Sequence, residues 1–382
     1  MKEEIIVWHL LSNRWNSAIT EYAISAIKAL NLVGIKNVFS PLTGSPAFIR
    51  AEEYSFNIAP VKSYQLTSFL KLYQLYKKIN PDIIISYGGP ESVLAMLMCK
   101  LSGRNVAKCI RFKGHDFRQD HRFGHRLRDL NDRYMHKIIL PSNAVANRST
   151  TSVKSKSVII PLGIAGHGFL SVDCKAIRDS NAEKNRPELL IFGRLDPVKG
   201  HREFLKIFAC LLKKWPQYLQ KYDVIVEKPI LHIVGLEKNI TVKDIDIERQ
   251  RLGIPSDCIA FTASYVTDVP ALMASASLGI ISSIGSEVIC RVAEEFLMCG
   301  TPIFTSGVGG LAEVNLDDCF RQAGVFSSYC YSGLDADDAS DLLANAIINR
   351  LQESSDVSME RATWARRKYS LEQMAAAIKA VF

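Results

Sequence analysis

The sequence of 382 residues lacks the long apolar segments of a membrane-spanning protein. No run approaches the roughly 18 consecutive apolar residues that a transmembrane helix needs. The first residues, MKEEIIVWHLLSNRW, have neither the basic start nor the cleavage site of a signal peptide. We therefore expect a cytoplasmic protein whose first apolar run is a β-strand.

The cysteine pattern gives no sign of metal or disulfide chemistry. Nine cysteines are an odd number, and they form no CxxC pair and no metal-like cluster. Such a pattern is typical of buried thiols in a reducing compartment. The sequence predicts no metal site and no disulfide framework.

Several cofactor motifs are missing as well. The chain has no GxxxxGK[ST] loop, and SNRWNSAIT stands after the first strand where a dinucleotide-binding protein would have its glycine fingerprint. No zinc finger, helix-turn-helix signature or aromatic RNA-binding stretch is present. These absences argue against NTP hydrolysis, NAD or FAD chemistry and nucleic-acid binding.

Short β-branched runs alternate with amphipathic helical patterns in two series, separated by the polar stretch 171–188. Nearly continuous apolar strands separated by helices indicate buried parallel sheets. The candidate strands are 4–11, 35–42, 81–89, 106–112, 137–143, 157–164, 188–195, 229–236, 258–265, 278–284 and 301–307. The pattern predicts an α/β protein with two Rossmann-like domains and a ligand cleft at the strand C-termini.

The expected domain bounds follow from this pattern. We expect residues 1–168 to form an N-terminal domain that 366–382 completes. Residues 169–187 form a linker, and 188–365 form a C-terminal domain. The final helical pattern is interrupted near Tyr369 and Ser370.

Basic residues are concentrated in the first half. Residues 1–175 contain 24 Lys and Arg against 12 Asp and Glu, and the remainder contains 23 against 27. This asymmetry indicates an anionic partner for the first half, such as a phosphorylated glycan or a membrane surface. The densest segment, 111–137, is equally consistent with a charged surface helix.

The segment GRLDPVKGHREFLKIF, 193–208, has the features of a diphosphate site. Gly193 ends a strand, Arg194 and Lys199 supply two cations, and Gly200 precedes an amphipathic helix. A guanidinium, an ammonium and the free N–H groups of a helix N-terminus together suit a diphosphate. A surface turn with two solvated bases is the simpler interpretation.

The segment SEVICRVAEEF, 286–296, places Arg291 midway between Glu287 and Glu295. On one helix these residues would form an ordinary ladder of charge pairs. The alternative is that the carboxylates bind a substrate, since an ionised carboxylate accepts hydrogen bonds from vicinal hydroxyls. The sequence around the segment favours the second interpretation.

Four segments occur in a characteristic order: GRLDPVKG, LHIVG, LGIPSDCIAFTASY and SSIGSEVICRVAEEFLMCGTPIFTSGVGGLAEV. Together they resemble the family 4 glycosyltransferases, which have the GT-B fold and transfer a sugar from a nucleotide sugar with retention. The resemblance is strong over about 188–315 and only architectural over 1–165. It implies two Rossmann-like domains facing across a cleft, a C-terminal helix that crosses back to the N-terminal domain, and metal-independent chemistry.

The resemblance also assigns roles to residues. It places Arg194 and Lys199 on the donor diphosphate and Glu295 on the ribose hydroxyls. Glu287 is the first glutamate of the family's EX7E pair and reaches the donor sugar or its leaving group. The donor-binding set is Gly193, Val234, Gly235, Tyr265, Val288, Ile289, Arg291 and Glu295.

On the acceptor side, His115 of RFKGHD resembles a family histidine near the donor sugar and the acceptor; a satisfied loop histidine is the alternative. Arg111 and Asp116 of the same segment are assigned to the acceptor. Asn16 and Ser17 join them, because they stand in the first βα turn where the family has a Gly-Gly pair.

One departure from the family lies beside Glu287. Members usually continue with Gly-Phe-Gly-Leu, whereas this chain has Val288, Ile289, Cys290 and Arg291. The bulkier residues should narrow the donor-sugar pocket. Arg291, near a helix start, could add a third cation to the diphosphate.

We therefore expect a retaining glycosyltransferase that uses a UDP- or GDP-sugar as donor and needs no other cofactor. Its acceptor would be a glycan or a lipid-linked intermediate in the synthesis of lipopolysaccharide or another surface polysaccharide. Its first half would contact the cytoplasmic face of the inner membrane. A soluble disaccharide synthase and a non-catalytic nucleotide-binding subunit are the alternatives.

Overall fold

The protein is described by a computed structural model over residues 4–102, 107–114, 130–181, 185–285, 287–314 and 328–382. These residues form two parallel six-stranded sheets. The strands are β1 Ile6–Leu11, β2 Lys36–Pro41, β3 Ile83–Ser86, β4 Lys108–Phe112, β5 Lys137–Leu140, β6 Ser157–Ile159, β7 Glu188–Phe192, β8 Ile230–Val234, β9 Ile259–Thr262, β10 Leu278–Ile281, β11 Ile303–Thr305 and β12 Ser328–Cys330.

The helices connect these strands in the manner of doubly wound α/β folds. They are α1 Ala18–Leu32, α2 Pro46–Glu53, α3 Phe69–Ile79, α4 Gly89–Ser102, α5 Asn143–Asn147, α6 Thr151–Lys154, α7 His167–Ser171, α8 Cys174–Asn181, α9 His201–Tyr222, α10 Val242–Arg251, α11 Val269–Ser275, α12 Arg291–Met298, α13 Leu311–Val314, α14 Ala336–Gln352, α15 Ser355–Lys368 and α16 Leu371–Lys379. Of the helices that the structure describes, none is both long and apolar enough to span a bilayer.

The chain divides into two compact units. The first comprises Met1–Ala165 and Tyr369–Phe382, and the second comprises Gly166–Lys368. In the described residues the first sheet has the strand order β2-β1-β3-β4-β5-β6, and the second has the order β12-β11-β10-β7-β8-β9. The expected α/β architecture with two Rossmann-like sheets is confirmed.

The strand predictions succeed because the central strands are buried on both faces. Val7, Trp8 and Leu10 in β1 are fully buried, as is Ile84 in β3. A strand covered by helices on both sides needs apolar residues at nearly every position, which makes it visible in the sequence. Each of the eleven predicted runs contains a strand of the structure.

The strand β12 was not predicted. It has only three residues, Ser328–Cys330, and lies at the edge of its sheet beside β11. Its central residue, Tyr329, is the buried member. So short an edge strand has no apolar run to distinguish it from a loop.

The stretch 169–187, expected to be a linker, contains the end of α7 and all of α8. Both helices belong to the second unit. Cys174 of α8 is buried, and Arg178 donates a hydrogen bond to the carbonyl of Arg350 at 2.6 Å. Tertiary contacts thus stabilise a segment that its polar sequence alone would leave unstructured.

The end of the chain returns to the first unit, as expected. Ser370 caps α16 by accepting a hydrogen bond from the Gln373 N–H at 3.1 Å, just after α15 ends at Lys368. Helix α16 packs against α1. The Ile164 N–H also donates to the carbonyl of Tyr369 at 2.9 Å, which joins the end of the chain to the residues after β6.

The core of the second unit contains a cluster of aromatic side chains. Phe304 of β11 is fully buried between Phe204, whose ring centroid is 6.3 Å away, and Tyr331, whose centroid is 4.9 Å away. Such offset and edge-on ring pairs add to the free energy gained from burial. Phe304 therefore joins the strand layer to helix α9, which carries Phe204.

We predict that Phe304→Ala lowers the free energy of unfolding by about 3 to 5 kcal/mol, because it leaves a cavity that rigid neighbours cannot fill. Urea unfolding monitored by tryptophan fluorescence would measure the change. Ile225→Ala is the matched control, since Ile225 is 93% exposed and its truncation should leave the urea midpoint of unfolding unchanged within error. Equal effects of the two changes would contradict the prediction.

Candidate active site

A cavity of about 360 Å³ lies at the C-terminal ends of β7, β8 and β9 in the second unit. This edge is where parallel α/β sheets bind their ligands. Seven residues that the sequence assigned to donor binding or catalysis line it: Gly193, Arg194, Val234, Gly235, Tyr265, Arg291 and Glu295. Residues separated by about one hundred positions along the chain are thus brought into one site.

Two glycines in the wall of this cavity bring two strand ends into close backbone contact. Gly193 and Gly235 follow neighbouring strands and have φ values of 155° and 156°, which side-chain-bearing residues rarely adopt. A Cβ atom on Gly235 would lie 1.9 Å from the Gly193 carbonyl oxygen. The two strand ends can therefore approach only without a side chain, and backbone groups form this part of the wall.

The turn after β7 presents Lys199 at the start of a long helix. Asp196 caps the turn by accepting a hydrogen bond from the Val198 N–H at 3.2 Å. Gly200, at φ 67°, is the N-cap residue immediately before the 22-residue helix α9. A Cβ atom at this position would lie 1.9 Å from the Ser282 carbonyl oxygen, so the turn packs directly on the backbone that follows β10.

Lys199 is ion-paired with Glu287. The Lys199 Nζ lies 2.5 Å from the Glu287 Oε1, and the Ser283 hydroxyl donates to the same oxygen at 2.5 Å. The backbone of Glu287 is held as well, because its carbonyl accepts a hydrogen bond from the Gly310 N–H at 2.7 Å. Three loops therefore meet at Glu287, two of them through its carboxylate and the third through its backbone carbonyl.

Arg291 and Glu295 form a second ion pair on one face of α12. The Arg291 Nε donates to the Glu295 Oε1 at 2.6 Å; the Glu295 side chain is buried, whereas that of Arg291 is 45% exposed. Arg291 occupies the first position of the helix, and both side chains line the cavity. A buried carboxylate and a half-exposed guanidinium are thus available to one ligand.

The ladder interpretation of Glu287, Arg291 and Glu295 is correct for only one of its two pairs. Arg291 and Glu295 do pair along the helix, but α12 begins at Arg291, and Glu287 lies before it in a loop. Glu287 pairs instead with Lys199, 88 residues away. The two carboxylates therefore do not share a helical face.

Four of the residues assigned to the donor do not line the cavity. Lys199 and Glu287 lie together beside it in their ion pair, while Val288 and Ile289 connect Glu287 to α12. The Ile289 side chain is buried. The roles assigned to these four residues stay predictions.

Six further residues line the cavity without having been predicted. They are Phe169, Phe192, Leu236, Ser264, Val266 and Val269. Most are apolar neighbours of assigned residues, and adjacency in sequence could have suggested them. Phe169 belongs to α7 within the expected linker, so only the tertiary structure reveals its position.

The residues assigned to the acceptor are dispersed in the first unit. Asn16 is exposed, and Ser17 precedes α1 and accepts a hydrogen bond from the Asn13 amide at 2.5 Å. The Arg111 Nη1 is buried 2.6 Å from Asp132, whose other oxygen contacts Lys113. His115 and Asp116 lie outside the described residues. The acceptor roles of Asn16, Ser17, Arg111 and Asp116, and the catalytic role of His115, stay predictions.

A second carboxyl group lies beside Glu295 on α12. Glu294 is buried, and its Oε2 has no hydrogen-bond partner among the described residues. Burial, reinforced by the neighbouring Glu295, raises the pKa of Glu294 to about 8. Glu294 is therefore largely protonated at neutral pH.

Within the described ranges, no three His, Cys, Asp or Glu side chains are arranged to hold a metal ion. The charged groups in and beside the cavity are Arg194, Arg291 and Glu295, with the Lys199–Glu287 pair. Two guanidiniums and an ammonium suit an anionic ligand, and the buried carboxylate suits hydroxyl groups.

Most of the second unit, which contains this cavity, matches a known family model. Residues 173–360 match the family model described as "Glycosyl transferases group 1". The second unit matches glycosyl transferases group 1. A search of curated proteins finds no match to the chain.

Solved structures resemble the whole chain. Anabaena HepE in complex with UDP has a TM-score of 0.74 and 15% identity, covering 98% of this chain and 99% of that chain. A glycosyltransferase from Rickettsia africae has a TM-score of 0.77 and 14% identity, with coverage of 99% and 98%. The lipopolysaccharide outer core galactosyltransferase WaaB has a TM-score of 0.67 and 14% identity, with coverage of 98% and 98%. At these identities the likeness concerns the fold, and it confirms the GT-B architecture.

We predict that Glu294→Gln removes a pH dependence of stability. The folded-state pKa of about 8 exceeds the ordinary glutamate value of 4.5, so protonation stabilises the folded protein, and this contribution is lost as the pH rises from about 4.5 to 8. Relative to the parent, the variant should gain about 3 to 5 kcal/mol of unfolding free energy across this window.

Urea unfolding at pH 5, 6, 7 and 8 would measure the difference. The exposed Glu203 provides the matched control. The free energy of unfolding of Glu203→Gln should differ from that of the parent by the same amount at every pH. A constant offset between Glu294→Gln and the parent would show that Glu294 does not titrate in this range.

Proposed function

We propose that the protein is a retaining glycosyltransferase that transfers a sugar from a UDP- or GDP-sugar to a glycan or lipid-linked acceptor. The group 1 glycosyltransferase match over 173–360 and the GT-B fold support nucleotide-sugar-dependent transfer. HepE, solved with UDP, supports a uridine donor. The retaining outcome follows from the family resemblance of the EX7E segment.

The observation that carries the proposal is the composition of the cavity at the C-terminal edge of the second sheet. Gly193 and Gly235 expose backbone there, Arg194 supplies a cation, and Glu295 supplies a buried carboxylate. These are the groups that a nucleoside diphosphate requires, because its ribose donates hydroxyl hydrogen bonds and its diphosphate accepts them. Tyr265, which is 87% exposed at the rim, would lie beside the base.

Arg194, Lys199 and the N-terminus of α9 would stabilise the charge that develops on the leaving diphosphate. Pre-positioned cations and helix N-termini are effective in this role because they need no reorganisation during the reaction. The ion pair with Glu287 holds Lys199 beside the cavity before the donor binds. When the donor binds, its phosphate oxygens would become the partners of Lys199.

The transfer itself would proceed on one face of the sugar. The acceptor hydroxyl oxygen forms a bond to the anomeric carbon while the bond from that carbon to the diphosphate oxygen breaks. The hydroxyl proton passes to the departing diphosphate, and the nucleoside diphosphate leaves. In this scheme Glu287 positions Lys199 and the donor sugar, and the cationic side chains supply the charge stabilisation without a metal ion.

The acceptor is proposed from the charge of the first half of the chain. Residues 1–175 carry twice as many basic as acidic residues, which favours a phosphorylated glycan or lipid-linked intermediate at an anionic membrane surface. WaaB, one of the similar structures, acts on the lipopolysaccharide outer core. We therefore place the reaction in surface-polysaccharide synthesis at the cytoplasmic face of the inner membrane.

A thermal-shift panel of UDP-, GDP- and ADP-sugars tests the donor assignment. A ligand that binds only the folded protein stabilises it by roughly 2.7 kcal/mol at 100 times its Kd. We expect stabilisation by one nucleobase series, and Glu295→Gln should weaken it whereas Glu203→Gln should not. No response to any nucleotide sugar would overturn the assignment.

Donor hydrolysis and vesicle binding then separate the candidate functions. Slow release of UDP or GDP without an acceptor supports an enzyme, whereas tight binding with no release favours a non-catalytic subunit. Salt-sensitive binding to anionic vesicles supports a membrane-associated acceptor. Its absence, combined with transfer to a soluble sugar, favours a disaccharide synthase.

We predict that Arg291→Ala weakens UDP or GDP binding by about 10- to 100-fold, the effect of losing one charge-assisted hydrogen bond. Calorimetry with the nucleoside and with the nucleoside diphosphate would show which part of the nucleotide Arg291 contacts. If Arg291 contacts the diphosphate, the variant binds the nucleoside diphosphate more weakly, whereas its affinity for the nucleoside is unchanged. Arg291→Leu, which restores the usual family residue, should behave like Arg291→Ala. Unchanged diphosphate affinity in a folded variant contradicts the prediction.

A further inference from the structure

Helix α3 of the first unit exposes two leucines on the side opposite to its buried residues. Leu72 and Tyr76 are buried. Leu70 is 74% exposed, and Leu66, in the single 3₁₀ turn that leads into the helix, is 70% exposed. The two leucines are four positions apart, a spacing that places them side by side on consecutive turns. Together they form an apolar pair in contact with water.

The exposed side of α3 also carries three lysines. Lys71, Lys77 and Lys78 are all exposed. Lys77 follows Leu70 by seven positions, which is two helical turns or about 10 Å along the axis. We call these three lysines and the two leucines, Leu66 and Leu70, the α3 face.

The sequence around the α3 face lacks acidic residues. No aspartate or glutamate occurs from residue 54 to residue 81. The next one, Asp82, accepts a hydrogen bond from the Ile6 N–H at 2.8 Å. Helix α4 packs against α3, and its one acidic residue, Glu91, is buried. The lysines therefore create a local positive potential that these two helices do not neutralise.

The end of α4 extends this mixed surface. The Tyr73 hydroxyl donates a hydrogen bond to the carbonyl of Leu101 at 3.3 Å, and the Tyr73 ring lies 4.7 Å from the Lys77 ammonium. Leu101 is 62% exposed, and the adjacent Lys100 is exposed as well. Apolar and cationic side chains thus occur together on two neighbouring helices, with a tyrosine between them.

This combination suits a lipid bilayer with anionic head groups. Exposed leucines gain free energy when they leave water for the boundary between head groups and acyl chains. Long lysine side chains can lie along that boundary while their ammonium groups contact head-group phosphates. A second copy of the chain suits the α3 face less well, because it would bring the same lysines against one another.

We propose that the α3 face docks the protein on an anionic lipid bilayer. Leu66 and Leu70 would enter the boundary region, and Lys71, Lys77 and Lys78 would contact the head-group phosphates. The proposal rests on the proposed reaction at a membrane surface and assigns the contact to particular residues. None of these residues lines the donor cavity, so the docking surface and the donor site are tested separately.

Vesicle flotation of the intact protein tests the docking surface. Vesicles of phosphatidylcholine alone would be compared with vesicles of equal parts phosphatidylcholine and phosphatidylglycerol, over a range of sodium chloride concentrations. We expect the parent to bind the mixed vesicles at least about tenfold more tightly than phosphatidylcholine alone. Binding to the mixed vesicles should weaken as the salt concentration rises.

Two variants separate the apolar contribution from the charged one. Leu66→Ser/Leu70→Ser should reduce binding to the mixed vesicles by at least about tenfold at every salt concentration, because the burial of both leucines is lost. Lys71→Gln/Lys77→Gln/Lys78→Gln should reduce binding by about tenfold or more at low salt. It should differ little from the parent at high salt, where screening has already weakened the contribution of the lysines.

The matched controls lie away from the α3 face. Leu32→Ser truncates another exposed leucine of the first unit, at the end of α1. Lys206→Gln/Lys213→Gln/Lys221→Gln removes the same net charge from exposed positions on α9 in the second unit. Both controls should bind the mixed vesicles as the parent does. Thermal midpoints of all variants should match the parent, since every changed residue is exposed.

The possible outcomes are distinct. The proposal is overturned by equal binding of the parent to both kinds of vesicle, or by parent-like binding of either α3 variant. A parent that binds no vesicle overturns it together with the membrane location, whereas a thermal shift with a nucleotide sugar in the same samples would still support the donor assignment. Dimerisation that Leu66→Ser/Leu70→Ser abolishes, without vesicle binding, would show that the α3 face contacts protein instead.

Discussion

The donor cavity depends on the approach of two parallel strand ends that have no side chain between them. Gly235 lies so close to the Gly193 carbonyl that a single methyl group would overlap it. This contact places Arg194 and the turn to α9 against the residues after β8. The position of the first cation, and of the helix N-terminus behind it, follows from a backbone constraint.

A second layer of the site is built from an ion pair and a backbone hydrogen bond between segments that are remote in sequence. The Lys199–Glu287 pair joins the turn after β7 to the loop after β10, and the Gly310 N–H fixes the same loop from a third direction. The carboxylate therefore has a structural task even without a ligand. A charged residue with two partners in the free protein is held in place before any substrate arrives.

Much of the fold could be predicted because buried parallel strands carry continuous apolar runs. The failures have local physical causes: β12 is a three-residue edge strand, and α8 is polar because only one side of it is buried. In the site, motif residues such as Arg194 and Glu295 were identifiable from their order along the chain. Phe169 was not, because its place in the cavity depends on tertiary packing of α7. The partner of Glu287 was equally hidden, since an ion pair over 88 positions leaves no periodic signal.

The pair between Arg291 and Glu295 has a thermodynamic consequence. In the proposed complex, one member meets the ribose and the other meets the diphosphate, although the two side chains bind each other in the free protein. The two halves of the nucleotide would then be recognised through one shared interaction. Their contributions to affinity should be coupled, so the binding free energies of the separate fragments would not sum to that of the whole nucleotide.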